Sequence, residues 1–243
     1  MELTGEFEFD HDSREDIYRY VESNGASSPA EIQRALNMDE RAFGHHTAIL
    51  RRNGVLEQTD GKLRIAFDTG AEEEYEVDDV AFRIRQAREE DLTGLVGAIR
   101  QAIGGGEYVD AESVADVVDS EGVLLRHNEL EARIFFVAIV NGEVVGWVHL
   151  KNPQLEKLSH TAELTVGVLE EYRGRGIGSH LLERGLEWAG KQGFERIYNS
   201  VPATNETAIA FLTNRGWDEE ARRENHYRMD GTYVDEVMMA TEL

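Results

Sequence analysis

A strand, a glycine-rich turn and a helix follow one another without interruption over residues 161–191, and no other stretch restricts the fold as tightly. Residues 161–169 read as a strand, and the helix starts near Gly176 and continues to Lys191. Between them runs Glu170-Glu171-Tyr172-Arg173-Gly174-Arg175-Gly176-Ile177-Gly178-Ser179. Gly174 and Gly176 have no Cβ, so backbone N–H groups there can converge on an anion. The helix start adds unpaired N–H groups and the positive end of its dipole. A pyrophosphate suits such a cradle. The run is not a Walker loop, because no Gly-Lys-Ser/Thr follows. It is not G-x-G-x-x-G either, because the third glycine comes one residue early. From this run alone, a plain strand–turn–helix junction is the alternative.

The surrounding chain alternates strands and helices from residue 82 onward. Residues 82–85 read as a strand, and Asp91 as the cap of a helix with Leu92, Leu95, Val96 and Ile99. A second helix is expected over 111–125. Strands follow at 133–140 and 143–150, joined by the hairpin signal Asn141-Gly142. Beyond the glycine-rich turn come a strand at 196–201, a helix at 206–214 and a closing pair of strands within 217–242. This is a mixed α/β unit.

Residues 1–70 have another pattern. Ser13 can cap a helix carrying Ile17, Tyr20 and Val21, which Asn24-Gly25 stops. Ser28-Pro29-Ala30-Glu31 is a capping box that opens a helix with Ile32, Ala35 and Leu36. Asp39 caps a third helix carrying Phe43, Ile49 and Leu50 and ending at Asn53-Gly54. Residues 55–58 and 62–66 flank Thr59-Asp60-Gly61 as a hairpin. Three short helices and a hairpin over residues 12–67 resemble a winged helix-turn-helix domain. The resemblance implies DNA as a partner, met by Arg41, His45, His46, Thr47, Arg51 and Arg52 of the third helix, with Lys62 and Arg64 on phosphates. Protein contacts or a homodimer are the alternatives. Residues 71–80, acidic and short of packing residues, read as a linker to a second domain at 81–243.

Charge bears on partners. The 243 residues carry 48 acidic and 25 basic side chains, a net charge of −23, and only four of the basic residues are lysine. The acids are spread along the chain, so neither a polyacidic tail nor a cation-binding cluster explains them. The composition is similar to haloarchaeal proteins, whose surface carboxylates stay hydrated in molar salt. Absence of cysteine removes disulfides, thiolate nucleophiles and Cys-ligated zinc. No metal is expected: Arg223-Glu224-Asn225-His226-Tyr227 is one histidine among polar residues, and His45 and His46 are adjacent. The longest apolar run is residues 134–140, too short to span a membrane. Residues 1–6 lack signal-peptide features, so a cytoplasmic location is expected.

The glycine-rich run resembles the acyl-coenzyme A loop of the GNAT N-acetyltransferases, Arg/Gln-x-x-Gly-x-Gly/Ala, with Arg173, Gly176 and Gly178 at the marked positions. The likeness extends over 81–243: residues 82–91 look like the family's opening strand and helix entry, 205–217 like its later cofactor helix, and 235–239 like its closing strand. It implies an α/β (α+β) acyltransferase fold with a mixed central sheet and acetyl-CoA as co-substrate. Val168 would offer backbone to the pantetheine arm. The amides of Arg173, Gly174, Arg175, Gly176, Ile177, Gly178 and Ser179 would hold the pyrophosphate, and Asn205 would touch cofactor or a site water. The strands ending at Val168 and around Tyr198 would splay, with the thioester in the gap.

The implied reaction is direct attack by a neutral amine, either a small molecule, a peptide N-terminus or a protein lysine. Residues 104–128 and 217–233 would choose among them. Glu163 is the candidate general base; His149 and His160 are alternatives. The family's frequent tyrosine acid lies four residues after Ala208, and here that position is Leu212. Tyr198, Tyr227, Tyr233 or solvent would have to replace it. The second reading is a DNA-binding regulator whose acyltransferase-like domain senses acetyl-CoA.

Overall fold

The computed structural model describes residues 11–243 except 53–54, 60, 67–71, 78–79, 104–108, 123, 125, 128–130 and 154–155. The N-terminal part contains α1 (Asp12–Asn24), α2 (Pro29–Ala35), α3 (Glu40–Arg52) and an antiparallel hairpin of β1 (Leu56–Thr59) and β2 (Lys62–Ile65). His11 caps α1 in place of the expected Ser13: its Nδ1 accepts from the Ser13 N–H at 3.1 Å. Tyr18, not Tyr20, joins Ile17 and Val21 in the core. The capping box forms as expected. Ser28 Oγ accepts from the Glu31 N–H at 3.3 Å, and the Glu31 carboxylate accepts from the Ser28 N–H at 2.8 Å. Asp39 caps α3 by accepting from the N–H groups of Arg41 and Ala42, both at 3.0 Å.

Two residues of the expected DNA-facing set point inward. His46 and Thr47 are buried, and Thr47 Oγ1 donates to the Phe43 carbonyl at 2.8 Å. The helical period rotates them toward the face of Phe43 and Leu50, while Arg41, His45 and Arg51 stay exposed. The side chain of Arg52, together with the expected stops at 53–54 and Asp60, lies outside the described residues.

The linker reading of 71–80 is corrected by the structure. Glu73–Val77 forms β3, antiparallel to β4 (Val80–Gln86), with Tyr75 opposite Phe82. Glu73 accepts from the buried Arg184 at 2.7 Å, and the Tyr75 ring stacks on His180 at 4.1 Å. Residues 71 and 78–79 are outside the described set.

A 3-10 turn at Glu89–Asp91 leads into α4 (Leu92–Ile103). Asp91 turns its carboxylate back, accepting from the Arg88 N–H at 2.7 Å and from Arg85 at 2.6 and 3.0 Å. Next come α5 (Val109–Glu121), β5 (Arg126–His127), β6 (Glu131–Val140), β7 (Glu143–Pro153) and β8 (Thr161–Val168). A 3-10 turn at Glu170–Tyr172 precedes α6 (Ile177–Lys191). The chain closes with β9 (Arg196–Pro202), α7 (Glu206–Thr213), β10 (Asp218–Met229) and β11 (Thr232–Glu242). The large sheet runs β10-β11-β9-β8-β7-β6-β4-β3, with β5 beside β6. Every neighbouring pair is antiparallel except β8 and β9.

Alternation along the strands divides the core between two faces. Phe136, Ala138, Val148, Leu150 and Leu164 pack with Leu181 of α6. Phe135, Val137, Ile139 and Trp147 pack with Leu95 and Ile99 of α4 and Val118 of α5. Gly167 is demanded by this packing: a Cβ there would sit 2.3 Å from the Trp147 ring.

Candidate active site

The parallel pair β8–β9 is the centre of the site. It is in register at Thr161↔Arg196, Ala162↔Ile197 and Glu163↔Tyr198, and then the pairing stops. Beyond that row β8 continues beside β7 as far as Val168, while β9 continues beside β11 as far as Pro202. Two strands held by different outer neighbours must part, and they open a wedge. Asn199 stands where the wedge begins, and its Nδ2 donates to the Leu164 carbonyl at 2.7 Å, a side chain replacing the lost ladder bond.

The wedge opens into a cleft of about 460 Å³ whose walls include Thr165, Val166, Gly167 and Val168 of β8 and Asn199, Ser200, Val201 and Pro202 of β9. Ala111 of α5 lines it from one side, and Phe211, Leu212 and Arg215 from the other. The glycine-rich turn forms its far end. Gly174 and Gly176 sit at φ 76° and 77°, where an L side chain is strained, and Gly176 is the N-cap of α6. The amide of Arg173 donates to the Glu170 carbonyl at 3.1 Å, and those of Ser179 and His180 donate to the Gly176 carbonyl at 2.9 and 3.1 Å. The described hydrogen bonds use none of the amides from Gly174 to Gly178, while those of Arg173 and Ser179, expected in the same cradle, are engaged within the chain.

Most of the sequence-derived set converges here. Val168, Arg173, Gly174, Gly176, Ile177, Gly178, Ser179 and Asn205 all line the cleft. Val168's carbonyl accepts from Arg173 Nε at 3.0 Å, which fastens the turn to the strand end. Asn205 is buried, and its Oδ1 caps α7 by accepting from the Ala208 N–H at 3.0 Å. Arg175 and Glu163 are not among the cleft-lining residues. Arg175 leans over the Tyr172 ring at 5.9 Å. Glu163 is exposed and pairs with Lys151 at 3.8 Å. It shares a sheet face with Thr165 and Gly167, one row outside the wedge.

The alternative bases lie elsewhere. His149 is enclosed beneath the sheet face that carries Thr165, stacked on Phe135 at 4.5 Å. Burial, with Arg133 and Lys151 nearby, pushes its pKa down to about 3, so it stays neutral. His160 gives its carbonyl to the amides of Glu195 and Arg196, in the turn before β8 and away from the cleft lining. None of Tyr198, Tyr227 and Tyr233 lines the cleft. Tyr227 donates to Glu236 at 3.3 Å, and Tyr233 is exposed near Arg228.

Thr165, Tyr172, Asn199, Ser200, Thr207 and Arg215 also line the cleft, and the sequence did not assign them to the site. Arg215 reaches across the mouth, with its guanidinium 3.8 Å from the Phe211 ring centre and bonded to Ser179 Oγ. It has no carboxylate partner among the described residues, although most arginines here do. The signal for Arg215 was its place just after the cofactor helix. Thr165 and Ser200 become visible only once the β8–β9 register is known.

Known proteins match this arrangement. The model of the acetyltransferase (GNAT) family matches residues 106–217. An N-alpha-acetyltransferase of Sulfurisphaera tokodaii is 36% identical over 121 residues, spanning 45% of this chain and 69% of that protein. An N-alpha-acetyltransferase of Sulfolobus acidocaldarius is 32% identical over 131 residues, spanning 49% of this chain and 74% of that protein. The structure of yncA from Salmonella typhimurium, solved with its cofactor acetyl-CoA, superposes with a TM-score of 0.55 at 19% identity, over 67% of this chain and 94% of that one. With a splayed parallel pair feeding a glycine-rich cradle, and with two relatives of this similarity, the chain belongs to the acetyltransferase (GNAT) family.

Proposed function

We propose that this acetyl-CoA-dependent N-acetyltransferase acts on an α-amino group. The observation that carries acetyl transfer is the wedge between β8 and β9, which leads from the sheet face under α5 to the cradle at α6. Such a passage lets a thioester lie between two strands with its phosphates at the helix start, while an amine approaches from the opposite face. The names of the two archaeal relatives support the α-amino acceptor.

In this reading the cradle amides from Gly174 to Gly178 and Arg215 hold the phosphates. Glu163 takes the acceptor's proton through water. It lies on the face from which the amine enters, about 7 Å along the strand from Thr165. Water fits that role because the carboxylate is exposed. Residues 1–70 form a winged helix-turn-helix unit apart from the transferase, supported by a separate core of Ile17, Ile32, Phe43, Leu50 and Leu63. Limited proteolysis that cuts inside the large sheet before the 66–72 junction argues against that division.

The decisive experiment pairs acetyl-CoA titration with two peptides in molar KCl. One peptide has a free N-terminus and no lysine; the other has a blocked N-terminus and one lysine. Acetylation of the first alone is expected, and acetylation of the second alone overturns the α-amino reading. Gly176→Trp weakens acetyl-CoA by about tenfold or more, because the indole fills the cradle and the turn relaxes from a left-handed backbone that costs a side chain about 1–2 kcal/mol, which binding must restore. Unchanged affinity in that variant removes the cradle from the phosphate site.

A further inference from the structure

We propose that Ser200 is the proton donor to the departing sulfur and that Thr165 positions it; this rests on the acetyl-transfer reading. The cleft places a leucine, Leu212, on its wall, and that side chain has no proton to give. The hydroxyls that line the cleft are Thr165, Tyr172, Ser179, Ser200 and Thr207. Tyr172 belongs to the 3-10 turn ahead of the cradle, Ser179 is bonded to Arg215, and Thr207 is in the exposed first turn of α7. That leaves two hydroxyls at the narrow end of the wedge.

The register puts these two together. The pairs Thr161↔Arg196, Ala162↔Ile197 and Glu163↔Tyr198 advance one residue per row. The next row is Leu164 and Asn199, closed by the Asn199 amide. The row after that, the first open one, is Thr165 and Ser200. Both are two residues beyond Glu163 and Tyr198, so both hydroxyls project from the same sheet face. Leu164 points the other way, into the core against α6. Thr165 and Ser200 therefore face each other across the gap at its apex, on the side from which the amine enters. Both residues are partly accessible.

The step balances on this chain's own groups. Ser200's hydroxyl gives its proton to the sulfur, which leaves with the electron pair of the broken C–S bond. Glu163 has by then taken one proton from the ammonium acceptor through water. As the C–N bond forms, the nitrogen's remaining excess proton passes to the Ser200 oxygen, which Thr165 keeps oriented, so both hydroxyls end as they began. No metal, oxidant or acyl-enzyme enters the step. Ser200 touches the reacting sulfur and is catalytic; Thr165 acts through Ser200.

The test uses the full chain and reads two quantities. The first is steady-state kinetics of Ser200→Ala, Ser200→Thr and Thr165→Val. The second is the ultraviolet titration of the thiol of bound CoA, which needs no acceptor. Ser200→Ala lowers kcat on the order of 10²-fold, with KM for the amine and Kd for acetyl-CoA nearly unchanged. Ser200→Thr restores most of the rate, because it restores the hydroxyl. Thr165→Val gives a smaller loss, about tenfold. The bound thiol's pKa rises by about one unit in Ser200→Ala, because the thiolate loses a hydrogen-bond donor. A Ser200→Ala enzyme with kcat within about threefold of wild type overturns the proposal, since that is far less than a lost proton donor costs. So does an unchanged thiol titration, or a fall in kcat matched by a fall in acetyl-CoA affinity. If the wild type binds CoA yet acetylates no amine, the acetyl-transfer reading fails, and the thiol titration still decides whether Ser200 addresses the sulfur.

Discussion

His149 is the most thoroughly enclosed titratable ring near the sheet centre, and its chemistry follows from that enclosure. It is 3% exposed, with Phe135 against one face and the cations Arg133 on the adjoining β6 and Lys151 two residues along β7. A proton on the ring would be desolvated and repelled, so the folded pKa falls to about 3 from an ordinary value near 6.5. The unfolded chain takes that proton between these limits and the folded chain does not. The ring's contribution to stability is therefore complete above about pH 6.5 and is lost progressively as pH falls toward 3, at up to about 1.4 kcal/mol per unit. His149→Phe keeps the stacking and removes the titration. Urea midpoints at pH 7.5 and 5 should show the variant losing about 2 kcal/mol less than wild type over that interval. Parallel losses would mean the ring is hydrated or protonated in the fold. The sequence marked His149 as titratable near neutrality, but its neighbours on β6 and β7 decide otherwise. Ser28 and Glu31 were legible in full, because a capping box is written in four consecutive residues.

At the scale of elements, β3 shows how charge can conceal structure. Glu73-Glu74-Tyr75-Glu76-Val77 contains three carboxylates, and by composition it reads as linker. As an edge strand it needs only one packed face. Tyr75 and Val77 pack against the core, and Glu73 on that same face meets the buried guanidinium of Arg184. Arg184 also lies over the Phe136 ring at 5.0 Å, so its charge sits in an apolar surround. Glu73→Ala removes the carboxylate and leaves that charge without its partner from β3. A loss of about 3 kcal/mol is expected in urea denaturation, and adding Arg184→Met recovers most of it. If Glu73→Ala costs no more than an exposed pair, about 0–1 kcal/mol, β3 is not held through this contact. The other strands and helices were readable because hydrophobic period and turn chemistry agree over whole segments, as in β6, Asn141-Gly142 and β7. The register between β8 and β9 was not readable. A parallel pair has no connecting turn to fix it, so the splay was expected only through the family resemblance, and the Thr165–Ser200 row had no local signal.

For the molecule as a whole, a net charge of −23 on 243 residues means that repulsion acts against the fold wherever water does not screen it. The described arginines answer much of it locally. Arg100 meets Asp116 and Asp119, Arg196 meets Glu220 and Glu242, and Arg222 meets Glu219 and Asp235. Such exposed pairs are each worth little, so the uncompensated excess still decides the salt response. Arg215 has no carboxylate partner among the described residues, and its guanidinium stands at the cleft mouth beside Phe211 and Ser179. Raising KCl from 0.1 to 1 M shortens the Debye length from about 10 to about 3 Å, which removes repulsion between most surface carboxylates. The thermal midpoint should rise by about 5–10 °C over that range, the equivalent of a few kcal/mol for a chain of this size. Screening and preferential exclusion can be separated by the shape of the curve. Screening levels off once the Debye length is shorter than the spacing of the charges, whereas exclusion of salt from the surface continues to strengthen burial as concentration rises. A rise that is steep below 1 M and shallow above it is expected in calorimetry from 0.1 to 3 M KCl. A midpoint that falls with KCl, or does not move, would show that the local ion pairs, which salt weakens, outweigh the net repulsion. The composition would then carry no salt requirement.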